Sequence, residues 1–320
     1  MATPKVAAAD TTVQEAAIPY PNEMGLMASF MASVATAVRR CGKSLRRFAK
    51  SSAESFTKAK LAVREYRLFA KTKEQKTRLM TKMASIVDGV KNRLGRALRE
   101  SVGRLSKHGK VARAKVQKLQ KTMERLLPQI LSWLKTGRVA KGKVVSLHVP
   151  ELYSVVRGKI GKAVEFGLRW GIERIGGGFL LAKAGCARHD VEDVRYAVQA
   201  VEDHIALFGK APERYAYDRA GFSQQNVKEL RAKGVRHVGV APRGKAPWPV
   251  DGRIKELLVK ERACVEGGIG TIKSDRYGFN RPAARSVEMM GVCGQRAILG
   301  FNLNKLVREL RKREDLLLST

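Results

Sequence analysis

The sequence predicts an α/β protein in which helices flank a mixed β-sheet, with a large, basic, all-helical insertion after the first strand. Three observations lead to this prediction. Residues 3–14 and several stretches after residue 143 have strand-like patterns, apolar residues recur three and four apart over 24–135, and strand and helix patterns alternate after residue 190. With 320 residues, 44% of them hydrophobic, the chain can bury a sizeable core.

The pattern divides the chain into three segments. Residues 1–23 hold the first strand of the sheet domain, 24–140 form the basic helical insertion, and 141–320 form the remainder of the sheet domain. Only nine residues precede Asp10, so we expect the first strand to be clipped.

The charge of the chain predicts a polyanionic partner. It has 63 lysines and arginines against 29 aspartates and glutamates, a net charge of +34, and a compact protein so charged repels itself. Nucleic acid is the first candidate and an anionic membrane surface the second. No apolar run reaches about 18–20 residues, so we expect no membrane span. The four cysteines form no CxxC motif, which is typical of reduced thiols in a cytoplasmic protein.

Most of this charge lies in the predicted helical insertion. Between Arg39 and Lys143 there are 31 lysines and arginines and 6 acids, a net charge of +25. The same stretch is rich in strong helix formers, and its apolar residues form a narrow stripe, which predicts three or four helices with wide basic faces. Such faces favour sequence-independent contact with DNA phosphates. The alternative is a helical hairpin whose charged side chains only interact with solvent.

The elements after residue 143 follow in order along the chain. Strand patterns cover 143–149 and 162–175, and a glycine triplet at 176–178 before another apolar run predicts a hairpin. The remaining predictions are a helix over 190–208, a strand over 214–218, a helix over 223–233, a strand over 235–241, and helices within 253–274 and 284–315.

Three acids stand out within these elements. Asp10 and Asp218 each come where a strand is expected to finish, and Glu266 lies in a helix. Because ligand-binding groups in open α/β sheets gather at the carboxyl ends of strands, the three carboxylates can converge. Divalent cations relieve their repulsion, and oxygen ligands suit Mg²⁺ or Mn²⁺. The glycines at 267, 268 and 270 either admit a phosphate backbone or disturb the helix.

Five segments resemble bacterial insertion-sequence transposases of the DDE class. They are DTTVQEAAIPYPNEMGLM (10–27), VVSLHVPELYSVVRGKIGKAVEFG (144–167), FGKAPERYAYDRAGFS (208–223), ERACVEGGIGTIKSDRYGFNR (261–281) and GVCGQRAILGFNLNKLVREL (291–310). The resemblance implies a ribonuclease H-like fold. It also implies that Asp10, Asp218 and Glu266 form a triad that binds two Mg²⁺ or Mn²⁺ ions and catalyses DNA cleavage and strand transfer.

The sequence departs from the family pattern at two positions. The family's Asp-Arg-Gly turn is present as Asp218-Arg219 with Ala220 inserted before the glycine, and the tyrosine expected three residues before Arg262 is Val259. The resemblance and helical spacing together predict that Arg219, Arg262 and Lys273 contact DNA phosphates. Their alternative role is that of surface charges on a basic protein.

Other motifs carry weaker predictions. Residues 137–143 have the spacing of a phosphate-binding loop, but Val144 stands where that loop needs a hydroxyl. Cys186 and His189 have a ligand-like spacing without the second pair of a zinc site. Trp248 could stack on a splayed base, although packing under a loop is the more common role of such a residue.

The leading interpretation is a transposase that cuts and joins double-stranded DNA, the transposon ends and the target, and a homodimer is plausible because two ends must be paired. Transposases of this kind usually carry a DNA-binding domain before the first aspartate, so an inactive, N-terminally truncated copy is also open. The alternatives are a non-enzymatic basic DNA-binding remnant in the nucleoid and a basic helical protein that binds RNA or ribosomes. The enzyme requires the three acids to meet, whereas the RNA-binding alternative predicts that they do not cluster.

Overall fold

The computed structural model describes residues 3–41, 45–100, 106–159, 162–185, 191–242, 244, 246–248 and 250–318. The chain forms two compact units. The sheet unit comprises Met1–Ala17 and Val155–Thr320, and the helical unit comprises Ile18–Ser154. None of the helices described is long and apolar enough to cross a membrane.

The helical unit contains four helices in its described part. They are α1 (Glu23–Arg40), α2 (Arg46–Leu68), α3 (Lys73–Glu100) and α4 (Lys107–Thr136). Side chains begin two of them: Asn22 accepts a hydrogen bond from the Gly25 amide at 2.6 Å, and Ser106 accepts one from the Gly109 amide at 3.1 Å. Gly137 ends α4 in the left-handed conformation, with φ 69°, which glycine adopts without strain.

One apolar core holds these helices together. Val87, Val90 and Leu94 of α3 pack in the same cluster as Met123 and Leu126 of α4, and all five are fully buried. Their spacing of three, four and seven keeps them on one face of each helix, which leaves the lysines and arginines of the other faces in solvent.

The prediction of a strand over 143–149 is wrong. This segment is an extended connection without strand pairing, and Val144 and Leu147 are buried in the core of the helical unit. The Val144 amide donates to Gln129 Oε1 at 3.0 Å, so a side chain takes the place of a neighbouring strand. An alternating pattern of apolar residues indicates that their side chains are buried, and here they are buried against helices and not against another strand.

The sheet unit contains a mixed six-stranded sheet, as predicted. Its strands are β1 (Thr3–Glu15), β2 (Tyr153–Lys159), β3 (Lys162–Gly176), β4 (Leu180–Ala184), β5 (Arg214–Tyr217) and β6 (His237–Val240). The order is β2-β3-β1-β5-β6, with β4 also paired to β3. β1 is antiparallel to β3 and parallel to β5, and β5 is parallel to β6. The predicted hairpin is confirmed as β3 and β4, joined through Gly177 and Gly178 at φ 87° and 86°.

Four helices cover this sheet in the described part of the unit. They are α5 (Asp193–Phe208), α6 (Gln224–Ala232), α7 (Gly252–Ile272) and α8 (Val287–Leu318). The predicted helix over 190–208 therefore begins three residues later, and Gly209 ends it as a left-handed C-cap. Gln14 of β1 fixes α8 to the sheet, because its Nε2 donates to the Met290 carbonyl at 2.9 Å and its Oε1 accepts from Trp170 Nε1 at 3.1 Å.

Candidate active site

Asp10 lies within β1 and not at its end, so the predicted end of this strand is wrong. β1 continues to Glu15 because its antiparallel partner β3 pairs with it through this region, with Asp10 opposite Ile172. The parallel partner is shorter, and β5 ends at Tyr217 opposite Ala9. Asp10 is therefore at the edge of the parallel ladder although it is inside the antiparallel one, and its Oδ1 accepts a hydrogen bond from the Thr11 amide at 2.7 Å.

Asp218 directly follows β5, at the strand end that the sequence predicted. It precedes a short 3₁₀ turn over Arg219–Gly221, and its carbonyl accepts from the Gly221 amide at 3.0 Å. Since Ala9 and Tyr217 are register partners in neighbouring parallel strands, the next residues, Asp10 and Asp218, lie side by side at the end of the ladder.

Glu266 lies on α7, the helix in which the sequence predicted it. Arg262, one turn earlier, contacts both Glu266 and Asp218. Its Nε lies 3.2 Å from Glu266 Oε1 and its Nη1 lies 3.5 Å from Asp218 Oδ1. The guanidinium of Arg262 thus lies between two of the three predicted carboxylates.

One pocket of about 550 Å³ brings the three acids together. It opens at the end of the β1–β5 ladder and is bounded on another side by α7. Its lining comprises Asp10, Thr11, Thr12, Val156, Arg169, Asp193, Asp218, Ala220, Glu266, Ile269, Gly270 and Lys273.

A fourth acid, Asp193, also lines this pocket, and the sequence reasoning missed it. Asp193 is in the first turn of α5, and its Oδ1 accepts a hydrogen bond from Thr11 Oγ1. An acid in the first turn of a helix stabilises the helix N-terminus. This common role accounts for Asp193 in the sequence, so nothing there indicated that it also lines the pocket. The alternation of β1 explains the contact, because Thr11 faces the opposite side of the strand from Asp10 and reaches α5.

Buried tyrosines form an apolar floor beside the carboxylates. Burial, followed by the nearby charges, raises the pKa of Tyr217 well above its ordinary value, and Asp193 and Asp10 are among those charges. Burial likewise raises the pKa of Tyr215. Tyr215 and Tyr217 are fully buried, and charge interactions in such a poorly solvated region are stronger than in water.

The three cations predicted to contact phosphate occupy different environments. Lys273 is the C-cap of α7 and lines the pocket. Arg262 has the carboxylate contacts given above. Arg219 is exposed in the 3₁₀ turn after Asp218 and is not among the lining residues. Arg169, which the sequence reasoning did not single out, also lines the pocket.

The pocket supplies oxygen donors of the kind that Mg²⁺ and Mn²⁺ prefer. Within the ranges that the structure describes, no three His, Cys, Asp or Glu side chains are grouped closely enough to hold a metal ion. The donor chemistry fits such an ion, and Arg262 supplies a positive charge between Asp218 and Glu266. Binding of a metal ion to both acids therefore requires Arg262 to move.

The other motifs have ordinary surroundings where they are described. Trp248 is half-buried, and Lys255 Nζ lies 5.7 Å from the centre of its ring. The glycines at 267, 268 and 270 leave α7 unbroken, so the alternative of an irregular helix is wrong. Cys186 and His189 lie outside the described residues.

Comparison of the chain with protein-family models, curated proteins and solved structures finds no match in any of the three.

Proposed function

We propose that the sheet unit is the ribonuclease H-like catalytic domain of a DDE transposase, which cleaves and joins DNA strands with the help of Mg²⁺ or Mn²⁺. The observation that carries this proposal is the shared pocket of Asp10, Asp218 and Glu266. These residues are 208 and 48 positions apart in the sequence, yet all three line one cavity of about 550 Å³. The mixed sheet supports the assignment of fold, since it joins an antiparallel pair and parallel strands around β1.

The reaction is an in-line displacement at a DNA phosphodiester. Bound divalent ions would activate water or a 3′-hydroxyl and stabilise the leaving oxygen. Asp10, Asp218 and Glu266 would hold these ions, and Asp193 offers a further oxygen ligand on the side of α5. The DNA phosphate oxygens are negatively charged, so Lys273 at the end of α7 is suited to orient them.

Arg262 has two alternative partners in the proposed reaction, the carboxylates of the pocket and a DNA phosphate. Its contacts with Asp218 and Glu266 reduce the repulsion between these two carboxylates. When Arg262 turns away from them, its guanidinium can form a bidentate contact with a phosphate.

Gly270 gives the DNA backbone room to approach this face of α7. A Cβ at Gly270 would have no neighbouring atom within 4 Å, and the residue lines the pocket. In a helix interior glycine costs about 0.8–1.0 kcal/mol relative to alanine, so its presence has no benefit for helix stability.

The test is metal-dependent nicking of a labelled DNA duplex by the full chain and its Asp218→Asn variant. We expect nicking with Mg²⁺ or Mn²⁺, and a fall of at least about a hundredfold in the variant, since it loses a metal ligand. The matched control is Asp203→Asn, because Asp203 has similar exposure and lines a different cavity. Its partners there are Lys183, at 3.8 Å, and the Gln199 side-chain amide, which donates to Asp203 Oδ1 at 3.0 Å. Equal activity in the two variants would contradict the proposal.

A DNA-binding remnant without activity is the second candidate, favoured by the Arg262 contacts, which occupy two carboxylates. It predicts tight, salt-sensitive DNA binding without any metal-dependent cleavage. The helical unit is the natural source of that binding, because its eight acids can neutralise only a small part of its 31 cations.

This contribution is measurable through the salt dependence of binding. Lys107, Lys110 and Lys121 lie on one exposed face of α4. Their replacement by glutamine should lower the slope of log affinity against log salt by up to about 0.9 for each phosphate that is no longer neutralised. A matched triple variant in the sheet unit, Lys210→Gln, Lys228→Gln and Arg236→Gln, removes the same charge and should change the slope less.

A further inference from the structure

A second pocket, of about 530 Å³, lies in the sheet unit between α7, α8 and the turn that joins β3 to β4. Four cations line it: Arg174, Arg276, Lys305 and Arg308. We refer to it as the basic pocket. The pocket that contains Asp10, Asp218 and Glu266, called the carboxylate pocket below, is lined instead by four acids together with Arg169 and Lys273.

Two of the four cations have acidic partners and two do not. Arg174 pairs with Glu261 at 2.6 Å, and Lys305 pairs with Glu309 at 3.1 Å. Among the described residues, neither Arg276 nor Arg308 has an acid within ion-pair distance. Both are exposed at the surface, so their guanidinium groups are available to an anion.

The wall beside these arginines is built from fixed side chains. The rings of Tyr277 and Phe301 lie 5.9 Å apart, and Asn304 Nδ2 donates to the Tyr277 hydroxyl at 2.8 Å. The Arg276 guanidinium lies 5.6 Å from the centre of the Tyr277 ring. Stacking on an aromatic ring restrains a guanidinium while leaving its N–H groups free to donate, which suits it to recognise phosphate.

Helix α7 separates the two pockets. Cys264, Gly268 and Thr271 line the basic pocket, whereas Glu266 and Gly270 line the carboxylate pocket. At 3.6 residues per turn these two sets lie on opposite faces of the helix. A helix is about 10–12 Å wide, and a DNA strand advances about 3.4 Å per nucleotide along its axis. A strand crossing α7 therefore spans it in roughly three nucleotides.

We propose that the basic pocket binds backbone phosphates of the DNA strand whose reacting phosphodiester lies in the carboxylate pocket. Arg276 and Arg308 make the phosphate contacts, and Arg174 and Lys305 add positive charge behind them. The identity of the strand rests on the proposed function, but the phosphate contact itself needs no metal ion and no cleavage. DNA is favoured over other polyanions because the pocket and the candidate active site share one helix.

The experiment is fluorescence-anisotropy titration of a labelled DNA duplex with the full chain in EDTA, repeated over a range of salt concentrations. The test variant is Arg276→Ala with Arg308→Ala. We expect its affinity to fall at least about tenfold and its salt slope to fall by about 1.8, or 0.9 for each phosphate that the variant no longer neutralises. Arg276→Lys with Arg308→Lys should retain most of the salt slope.

The matched control is Arg236→Ala with Arg253→Ala. Both residues are exposed in the sheet unit and outside the basic pocket, and the control variant has the same net charge as the test variant. Equal falls in affinity in the two double variants would overturn the proposal, since the net charge alone would then explain binding. A fall in affinity seen with an RNA duplex and not with DNA would overturn it as well.

The outcome is separable from that of the proposed function. If the wild-type chain shows no metal-dependent nicking but the two double variants still differ, the basic pocket stands and the catalytic proposal fails. If nicking is observed and the double variants bind equally, the catalytic proposal stands and this inference fails.

Discussion

The helical unit and the sheet unit carry their charges in different ways. In the helical unit, cations outnumber acids by 31 to 6 between Arg39 and Lys143 and cover the outer faces of helices that share one apolar core. In the sheet unit, residues from distant positions form two pockets on the two sides of α7, one lined by four acids together with Arg169 and Lys273, the other by four cations. The first arrangement suits sequence-independent affinity for a polyanion, and the second suits chemistry at a chosen phosphate.

This difference shows which kind of function can be predicted from amino-acid composition. Affinity that depends on total charge follows from a count of residues, because counterion release depends on the number of phosphates neutralised. A reaction site depends on which side chains meet, and the count of acids in the sheet unit gives no indication of that.

The largest expected effect tests the apolar core of the helical unit. Leu126→Ala should lower the free energy of unfolding by about 2–5 kcal/mol, because Leu126 is fully buried and the smaller side chain leaves a cavity. Leu131, on the same helix, is 48% exposed, so Leu131→Ala should change it by no more than about 0.5 kcal/mol. Denaturant unfolding of both variants measures this, and equal destabilisation would show that α4 does not pack as described.

The next effect concerns the buried contact between His204 and Glu173 in the sheet unit. His204 Nε2 lies 3.0 Å from the Pro4 carbonyl, which can only accept, so this nitrogen carries a proton. His204 Nδ1 lies 2.6 Å from Glu173 Oε1, so that contact needs a second proton, on either the imidazole or the carboxyl group. Glu173→Leu removes the partner of a buried ring nitrogen and should cost about 1–3 kcal/mol.

Glu173→Gln is the informative companion, because the glutamine amide can donate to Nδ1 without a titrating proton. Burial, more than any other cause, raises the pKa of Glu173 above its ordinary value. The folded state therefore holds this proton more tightly than the unfolded state, and its stabilising contribution is lost as the pH rises through the raised pKa. Unfolding measured against pH should show this loss in the wild type and not in Glu173→Gln. Parallel pH profiles would contradict it.

The smallest expected effect concerns Tyr217. Its hydroxyl is buried and has no hydrogen-bond partner within the described part of the chain. Tyr217→Phe should therefore leave stability unchanged or raise it by up to about 1 kcal/mol, since the unpaired hydroxyl is costly to bury. A thermal unfolding curve measures this effect. Destabilisation by more than about 1 kcal/mol would mean that the hydroxyl has a bound partner, such as an ordered water.

Much of the fold was predictable because its elements have regular periods. The helical pattern over 24–135 led to α1–α4, and the glycine triplet at 176–178 led to the β3–β4 hairpin. The pattern at 143–149 failed because an apolar alternation does not reveal whether the burying partner is a strand or a helix. β2 was missed because a short run ending in Arg157, Gly158 and Lys159 carries little strand signal.

The candidate site was predictable only in part. The sequence correctly placed Asp218 directly after a strand and Glu266 in a helix. It ended β1 too early at Asp10, because the longer antiparallel pairing with β3 left no local signal. The contacts of Arg262 with both acids and the presence of Asp193 depend on side-chain directions across β1, α5 and α7. These directions are set by packing between elements far apart in the chain, which no local pattern encodes.

The most direct test of the central claim, that Asp10, Asp218 and Glu266 form one divalent-metal site, is Mn²⁺ binding measured by electron paramagnetic resonance. The wild type should bind Mn²⁺. Asp10→Asn, Asp218→Asn and Glu266→Gln should each weaken binding by more than the roughly 10–100-fold that loss of an outer-shell partner costs. Glu256→Gln, an exposed acid of the same helix α7, should bind as the wild type does. Equal Mn²⁺ affinity in all four variants would contradict the claim.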